Sequence, residues 1–393
     1  MHVPEPLLIA AAVLFVGAVA ASYVDRLGAP TLLLFLGLGM LLGENGPGGI
    51  AFDNAVLSRD AGTVALIVIL LEGGLLAERS HVRRAAPSAA MLATVGVLVT
   101  AGVVAGAARL VLDVGWLTAL LLGAVVSSTD AAAVFTAIRG IDVRQRVGSI
   151  LEAESGLNDP FAAVLVIGLI EWQTNDAYGV ADAALLLGRQ ALLGVLGGIV
   201  VGAIAVWLLR RLPLPSEGLA PVVCLSAGLG GALGVSALGG SGLLTAYLAG
   251  LAIGDARVPN ASIVRGFMQG AAWLSQLGLF VLLGLLVTPS RLVDEGFTPL
   301  LLAIVLVVVA RPLAVAVSMT PFGVPWREQG FLAWAGLRGG VPIVFATFPV
   351  AAGVPGASRV FDVAFYVVVG SVAIQGLTVR RAARLLGVTA EPT

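Results

Sequence analysis

The chain has 393 residues, 59% of them hydrophobic and 11% charged, and a formal net charge of −1; its mean hydropathy is +1.03. A water-soluble fold of this length needs more charge to cover its surface, and a near-neutral balance offers nucleic acid no basic footprint. A single cysteine, Cys224, excludes an internal disulfide, and two distant histidines, His2 and His81, argue against a transition-metal centre, so no cofactor is expected.

The class that remains is an all-α polytopic membrane protein. Outer-membrane barrels show short alternating strands, not long continuous apolar runs. The N-terminal stretch MHVPEPLLIA has neither a basic start nor a small-residue cleavage site, so it reads as the opening of a first span and not as a signal peptide. A crossing needs about 20 mostly apolar residues. Charged breaks then give thirteen spans: 7–24, 27–43, 61–77, 85–108, 114–138, 147–170, 183–209, 218–236, 240–254, 266–288, 297–322, 329–352 and 360–379. The run 218–254 has no charge and is too long for one crossing, and the expected turn is SALGGSG. Only residues 380–393 follow the last span, so a single transmembrane domain is expected, with no soluble C-terminal domain.

Direction follows from arginine, because the chain has no lysine. With the N-terminus outside, the inner segments carry Arg26, Arg79, Arg83, Arg84, Arg139, Arg144, Arg146, Arg210, Arg211, Arg257, Arg265, Arg327, Arg380, Arg381 and Arg384. The outer segments and span ends carry only Arg59, Arg109, Arg189, Arg291 and Arg359, and the acids Glu44, Asp53, Asp60, Glu171, Asp176, Asp182, Asp294 and Glu295 lie with them. The asymmetry predicts an outer N-terminus and a cytoplasmic C-terminus.

Seven charges then stand inside the spans: Glu72, Asp130, Glu152, Glu154, Asp159, Arg311 and Arg338. Each ionisable group at the bilayer centre costs roughly 2.5–3.5 kcal/mol on insertion scales, so seven point to a pathway or a binding site. In LEAESGLNDP, Ser155 and Asp159 share a helix face at a spacing of four, as do Glu154 and Asn158, and Pro160 frees a backbone carbonyl one turn earlier. A hydroxyl, an amide oxygen and a carboxylate within one turn are hard oxygen ligands, suited to a hard cation. The fifth span, LLGAVVSSTDAAAVF, sets Asp130 after Ser127, Ser128 and Thr129. If the helix breaks there, the carboxylate would balance positive helix ends. The twelfth, WAGLRGGVPIVF, sets Arg338 beside two glycines and a proline, a pattern that favours a second break with the arginine balancing negative ends. The two spans are seven apart, which reverses orientation and predicts an inverted repeat of six plus six with the seventh span as linker. Arg311 needs an acid, and Glu154 is the expected partner. Glu72 is a candidate for a cytoplasmic funnel, and Glu152 is left outside the ligand set.

The motifs SSTDAAAVF, LEAESGLNDP, ARPLAV and GLRGGVPI, together with GMLLGENGPGGIAFDN and the Pro-Phe-Gly at Pro321, resemble the monovalent cation–proton antiporter superfamily over essentially the whole chain. The similarity lies in the sodium–proton exchanger branch, with bacterial NhaP-type and cell-volume-regulation potassium–proton antiporters. The resemblance implies crossed broken helices at spans 5 and 12 and a homodimer. It implies a scaffold of roughly 1–84 and 183–288, against which a transport part of roughly 85–170 and 297–379 moves. It implies that Asp159 holds either cation or proton, that Thr129, Asp130, Ser155 and Asn158 complete the site, and that Glu154 pairs with Arg311. Volume-regulation relatives usually carry cytosolic domains after the membrane part, and this sequence departs from them there. The expected function is electroneutral exchange of Na+ or K+ for H+ at the cell membrane, in pH homeostasis or volume regulation. The alternative is a cation channel lined by the same carboxylates. An intramembrane protease is disfavoured, because both histidines fall outside the spans and no peptide-cleft motif accompanies the aspartates.

Overall fold

A computed structural model describes residues 5–27, 31–44, 46–130, 134, 143–288 and 296–389. Among these residues the regular structure is helical, with two isolated bridge pairs, Gly43–Ile50 and Val143–Thr389. Helix is what an apolar chain must form in lipid, because each backbone N–H and C=O then finds its partner within its own segment. In chain order the helices are α1 (Glu5–Leu27), α2 (Thr31–Leu42), α3 (Ala55–Leu76), α4 (Arg79–Val111), α5 (Trp116–Ser127), α6 (Gln145–Thr174) and α7 (Val180–Arg211). There follow α8 (Leu219–Ala237), α9 (Gly242–Asp255), α10 (Ala261–Leu286), α11 (Thr298–Phe322), α12a (Trp326–Ala335), α12b (Gly340–Ala351) and α13 (Ala357–Leu385).

Helix occupies each of the thirteen expected spans within the described residues. Length and composition alone qualify seven of them as crossings, α4, α6, α7, α8, α10, α11 and α13, and the bent pair α12a–α12b makes an eighth. The second half of the fifth span lies outside the described residues, as do Arg139, Arg291, Asp294 and Glu295. The charge-free run divides at SALGGSG: α8 ends at Ala237, Gly239 takes φ +80°, and the Ser241 hydroxyl accepts the Leu244 N–H at 3.3 Å to cap α9. Only glycine enters that left-handed region freely.

Two helix pairs meet backbone to backbone through glycine. A methyl group on Gly74 would overlap the Tyr247 carbonyl, and one on Gly250 or Gly254 would overlap the Leu71 or Leu75 carbonyl, which fixes α3 against α9. A methyl on Gly39 would overlap the Val281 carbonyl, and one on Gly284 the Leu36 carbonyl, which fixes α2 against α10. Small residues permit this approach, and dispersion over the long contact replaces the hydrophobic force that lipid does not supply. When α1–α6 are matched to α8–α13, the pair α3–α9 maps onto α10–α2. The π-helical turns Leu92–Gly96 in α4 and Leu306–Ala310 in α11 also fall at matching positions. The fold therefore repeats as six plus six, with α7 between the halves.

Contacts between loops respect the alternation of sides. Arg79 pairs with Asp255 at 2.6 Å, Arg144 with Glu328 at 3.4 Å, and the Arg144 N–H bonds the Val388 carbonyl at 3.0 Å. At the other end Arg189 donates to the Leu238 carbonyl at 2.8 Å and Arg359 to the Leu112 carbonyl at 3.4 Å. Each contact joins segments that the arginine pattern assigns to one side.

The two broken spans meet at mid-fold. α5 stops at Ser127, and Ser128 is extended at φ −66°, ψ 144°. α12a and α12b are bent by 54° across Gly336–Gly339. The Asp130 N–H bonds the Leu337 carbonyl at 3.0 Å, so the interrupted backbones satisfy each other where each lacks helical partners. α6 passes beside this crossing and stays helical through Pro160.

Candidate functional site

α6 brings the acids to the crossing. Asp159 is 3% exposed and accepts a hydrogen bond from the Ser128 hydroxyl. Asn158 is fully buried, and its amide donates to the Thr129 hydroxyl. Its carbonyl oxygen Oδ1 has no partner among the described residues. Ser155 is buried on the same face as Asp159, one turn earlier. Thus the extended Ser128–Thr129 step of the fifth span supplies one hydroxyl to each of the two adjacent α6 side chains.

The charged groups at the break sit on helix ends. The Asp130 carboxylate accepts the Gly340 N–H at 3.0 Å, at the positive N-terminus of α12b. Gly339 has no side chain to spare here, since a methyl group on it would overlap that carboxylate. Arg338 is 1% exposed and donates to the Val126 carbonyl at 2.8 Å and the Gly336 carbonyl at 2.7 Å. Those carbonyls lie at the C-terminal ends of α5 and α12a, where helix dipoles place negative charge. Its Nη2 has no partner among the described residues. The Ser371 hydroxyl accepts the Arg338 N–H at 3.1 Å, tying the break to α13.

Arg311 and Glu154 form a two-pronged pair, Nη1–Oε1 at 2.6 Å and Nη2–Oε2 at 2.8 Å, with side chains 3% and 1% exposed. The planar fork of arginine matches a carboxylate in this way, and lysine cannot. The guanidinium also reaches the Leu332 carbonyl at 3.4 Å and lies against Gly336. The pair therefore joins α6, α11 and the end of α12a.

A cavity of about 610 Å³ runs from the crossing toward the helix ends on the arginine-rich side. Asp159 and Asp130 line its deep end, and Glu72, Leu76, Glu152 and Gln269 line it toward the helix ends on the arginine-rich side. Tyr247, Gln276 and Phe280 complete the wall opposite α6. Thr129, Asn158 and Ser155 do not line this cavity, and Asn158 and Thr129 are bonded to each other. Three participants escaped the sequence reading. Ser128 was one of three adjacent hydroxyls with nothing to single it out. Glu152 was set aside, and Tyr247 lies in an apolar helix remote from any acid in sequence. An eighth charged residue, Asp362, falls within the expected last span, 360–379, and is 4% exposed.

An all-helical bundle in which two interrupted helices cross beside a buried carboxylate, with an open cavity leading to it, defines a polytopic membrane protein of the ion-transporter type. Sequence comparison identifies the particular family: the sodium/hydrogen exchanger transmembrane model matches residues 10–385, and the chain belongs to that family. It is 44% identical over 379 residues to the K+/H+ antiporter NhaP of Alkalimonas amylolytica, a match covering 95% of this chain and 66% of that protein. It is 41% identical over 388 residues to the K+/H+ antiporter NhaP2 of Shewanella oneidensis, covering 98% and 67%. The chain thus spans about two thirds of the length of these relatives. Its fold is that of the sodium proton antiporter MjNhaP1 from Methanocaldococcus jannaschii at pH 8, with a TM-score of 0.80 at 22% identity over 96% of this chain and all of that one.

Proposed function

We propose that the chain exchanges a monovalent cation, Na+ or K+, for protons, with the two competing for Asp159. The observation that carries this reading is the Asp159 carboxylate itself, buried at the helix crossing yet lining an open cavity. A bare carboxylate in a dry site is too costly to carry across. Only the forms neutralised by metal ion or proton travel, and that rule couples the two fluxes. The unpartnered Asn158 Oδ1, the Thr129 and Ser155 hydroxyls and the Asp130 carboxylate supply further hard oxygens for the cation. The relatives NhaP and NhaP2 are K+/H+ antiporters, which supports the same class.

The cavity lies between two sets of helices, which supports alternating access by relative motion. One wall comes from α3, α9 and α10, and the other from α6, the α5 break and α12b. The first set belongs to a scaffold of roughly 1–84 and 183–288, whose glycine contacts hold it together and which forms the homodimer. The second belongs to a transport part of roughly 85–170 and 297–379. Asn158 is not ionisable, and the exchange uses the single carboxylate of Asp159, so the proposed cycle is electroneutral. Arginine distribution supports an outer N-terminus in the cell membrane, where the exchange serves pH homeostasis or volume regulation.

The test uses everted vesicles with an imposed pH gradient, to which Na+, Li+ or K+ is added across a range of pH. The wild-type chain should dissipate the gradient, and Asp159→Asn should abolish the response. An unchanged response in that variant overturns the assignment, and a current at fixed pH without proton counterflow identifies a channel instead.

A further inference from the structure

A second cavity, of about 380 Å³, opens on the arginine-rich side between the start of α4 and the start of α6, apart from the Asp159 site. Two guanidinium groups on different helices line it, those of Arg84 and Arg146. Each is anchored through one nitrogen to a backbone carbonyl: Arg84 Nε to Ser80 at 3.2 Å, and Arg146 Nη2 to Phe322 at 3.2 Å. The remaining donors of both forks are left for a ligand, and among the described residues neither arginine has a carboxylate partner. His81 adds a third basic group and bonds the Gln145 side chain. Glu78 pairs with His81 at 3.2 Å and is largely exposed. α6 starts at Gln145 with no side-chain cap, and its first two residues line the cavity, so the positive end of its dipole adds to the field. Ile150 and Phe322 give the other wall an apolar face.

We propose that this cavity binds a phosphate-bearing anion. Forked guanidinium pairs at a helix N-terminus are the chemistry that recognises phosphate oxygens. The volume exceeds that of a phosphate group alone, and the apolar wall accommodates an organic body attached to it. Two sources offer that chemistry at this depth, the headgroup of an acidic phospholipid and a soluble phosphate. The site lies wholly on α4, α6 and the end of α11, the elements that also carry the Glu154–Arg311 pair.

The experiment reads binding and not transport, so it stands apart from the antiport assignment. The full chain is placed in nanodiscs of pure phosphatidylcholine or of phosphatidylcholine with phosphatidylglycerol, and the lipid retained after release is measured by native mass spectrometry. In parallel, the melting temperature in phosphatidylcholine discs is followed as inorganic phosphate replaces chloride. The wild type should retain phosphatidylglycerol if the source is lipid, or melt higher in phosphate if it is soluble. Arg84→Gln with Arg146→Gln should weaken that response by roughly tenfold or more, and Arg84→Lys with Arg146→Lys should keep part of it. If the glutamine double variant melts abnormally in phosphatidylcholine, the single variants at these exposed positions take its place. Wild-type protein that responds to neither probe overturns the proposal, as does a glutamine variant that responds like the wild type.

Discussion

The ring of Tyr247 packs against Gly156: a methyl group on that glycine would overlap ring carbons Cε2 and Cζ and sit 2.8 Å from Cδ2. This contact joins α9 to α6 three residues before Asp159, on the wall of the main cavity. Gly156→Ala should overpack it, costing about 1–3 kcal/mol, and should slow exchange at least tenfold if α6 slides past α9. Tyr247→Ala in the same chain should restore the rate. Vesicle assays of the single and double variants measure this, and a Gly156→Ala chain that exchanges at the wild-type rate removes the sliding contact from the mechanism.

The Tyr247 hydroxyl is buried and has no partner among the described residues. Removing an unsatisfied polar group leaves nothing exposed to desolvation, so Tyr247→Phe should melt at or above the wild-type temperature. A fall of several degrees would reveal a bond to that oxygen.

The Arg311–Glu154 pair should respond asymmetrically to mutation. Arg311→Gln or Glu154→Gln alone leaves one charge buried, at a cost of about 3–5 kcal/mol. Replacing both, Arg311→Met with Glu154→Leu, should recover much of that loss. Melting of the three variants in detergent checks the cycle. Additive losses in the double variant would mean that the two groups act independently.

Arg338 should prove irreplaceable by lysine. Its Nε and Nη1 reach carbonyls of two separate helix ends, at 2.8 and 2.7 Å, and a single ammonium cannot span them. Arg338→Lys should destabilise the chain by about 1–3 kcal/mol, the range for one buried carbonyl left unpaired. Equal melting temperatures would contradict this geometry.

Ser128→Ala should weaken cation binding. Its hydroxyl donates to the Asp159 carboxylate at the site proposed for the cation. The expected result is a severalfold higher KM for the transported cation, with kcat less affected. An unchanged KM would show that the hydroxyl plays no part in the site.

Much of the site was legible because membrane burial makes polar residues conspicuous. Arg311 had no acid within its own span, so a partner on another helix was required, and Glu154 fills that place. Gly339, Gly340 and Pro342 announced the break of the twelfth span, and both glycines prove to pack against a group that a side chain would displace. Other features depend on how the two interrupted spans cross, which spacing along the chain does not encode. Ser128 and Thr129 are adjacent and chemically alike, yet the extended backbone sends one to Asp159 and the other to Asn158. Pro160 resembles a helix breaker, but α6 absorbs it. Tyr247 became part of the wall only through the close packing of α9.

The side chains around Asp159 have a consequence for valence in the proposed exchange. Asp130, Glu154, Arg311 and Arg338 are two acids and two bases, each at most 6% exposed. If Asp159 alone takes up the cation, a singly charged ion leaves the moving part neutral. Calcium or magnesium would leave a surplus positive charge inside the bilayer, so adding either to the vesicles should dissipate no pH gradient.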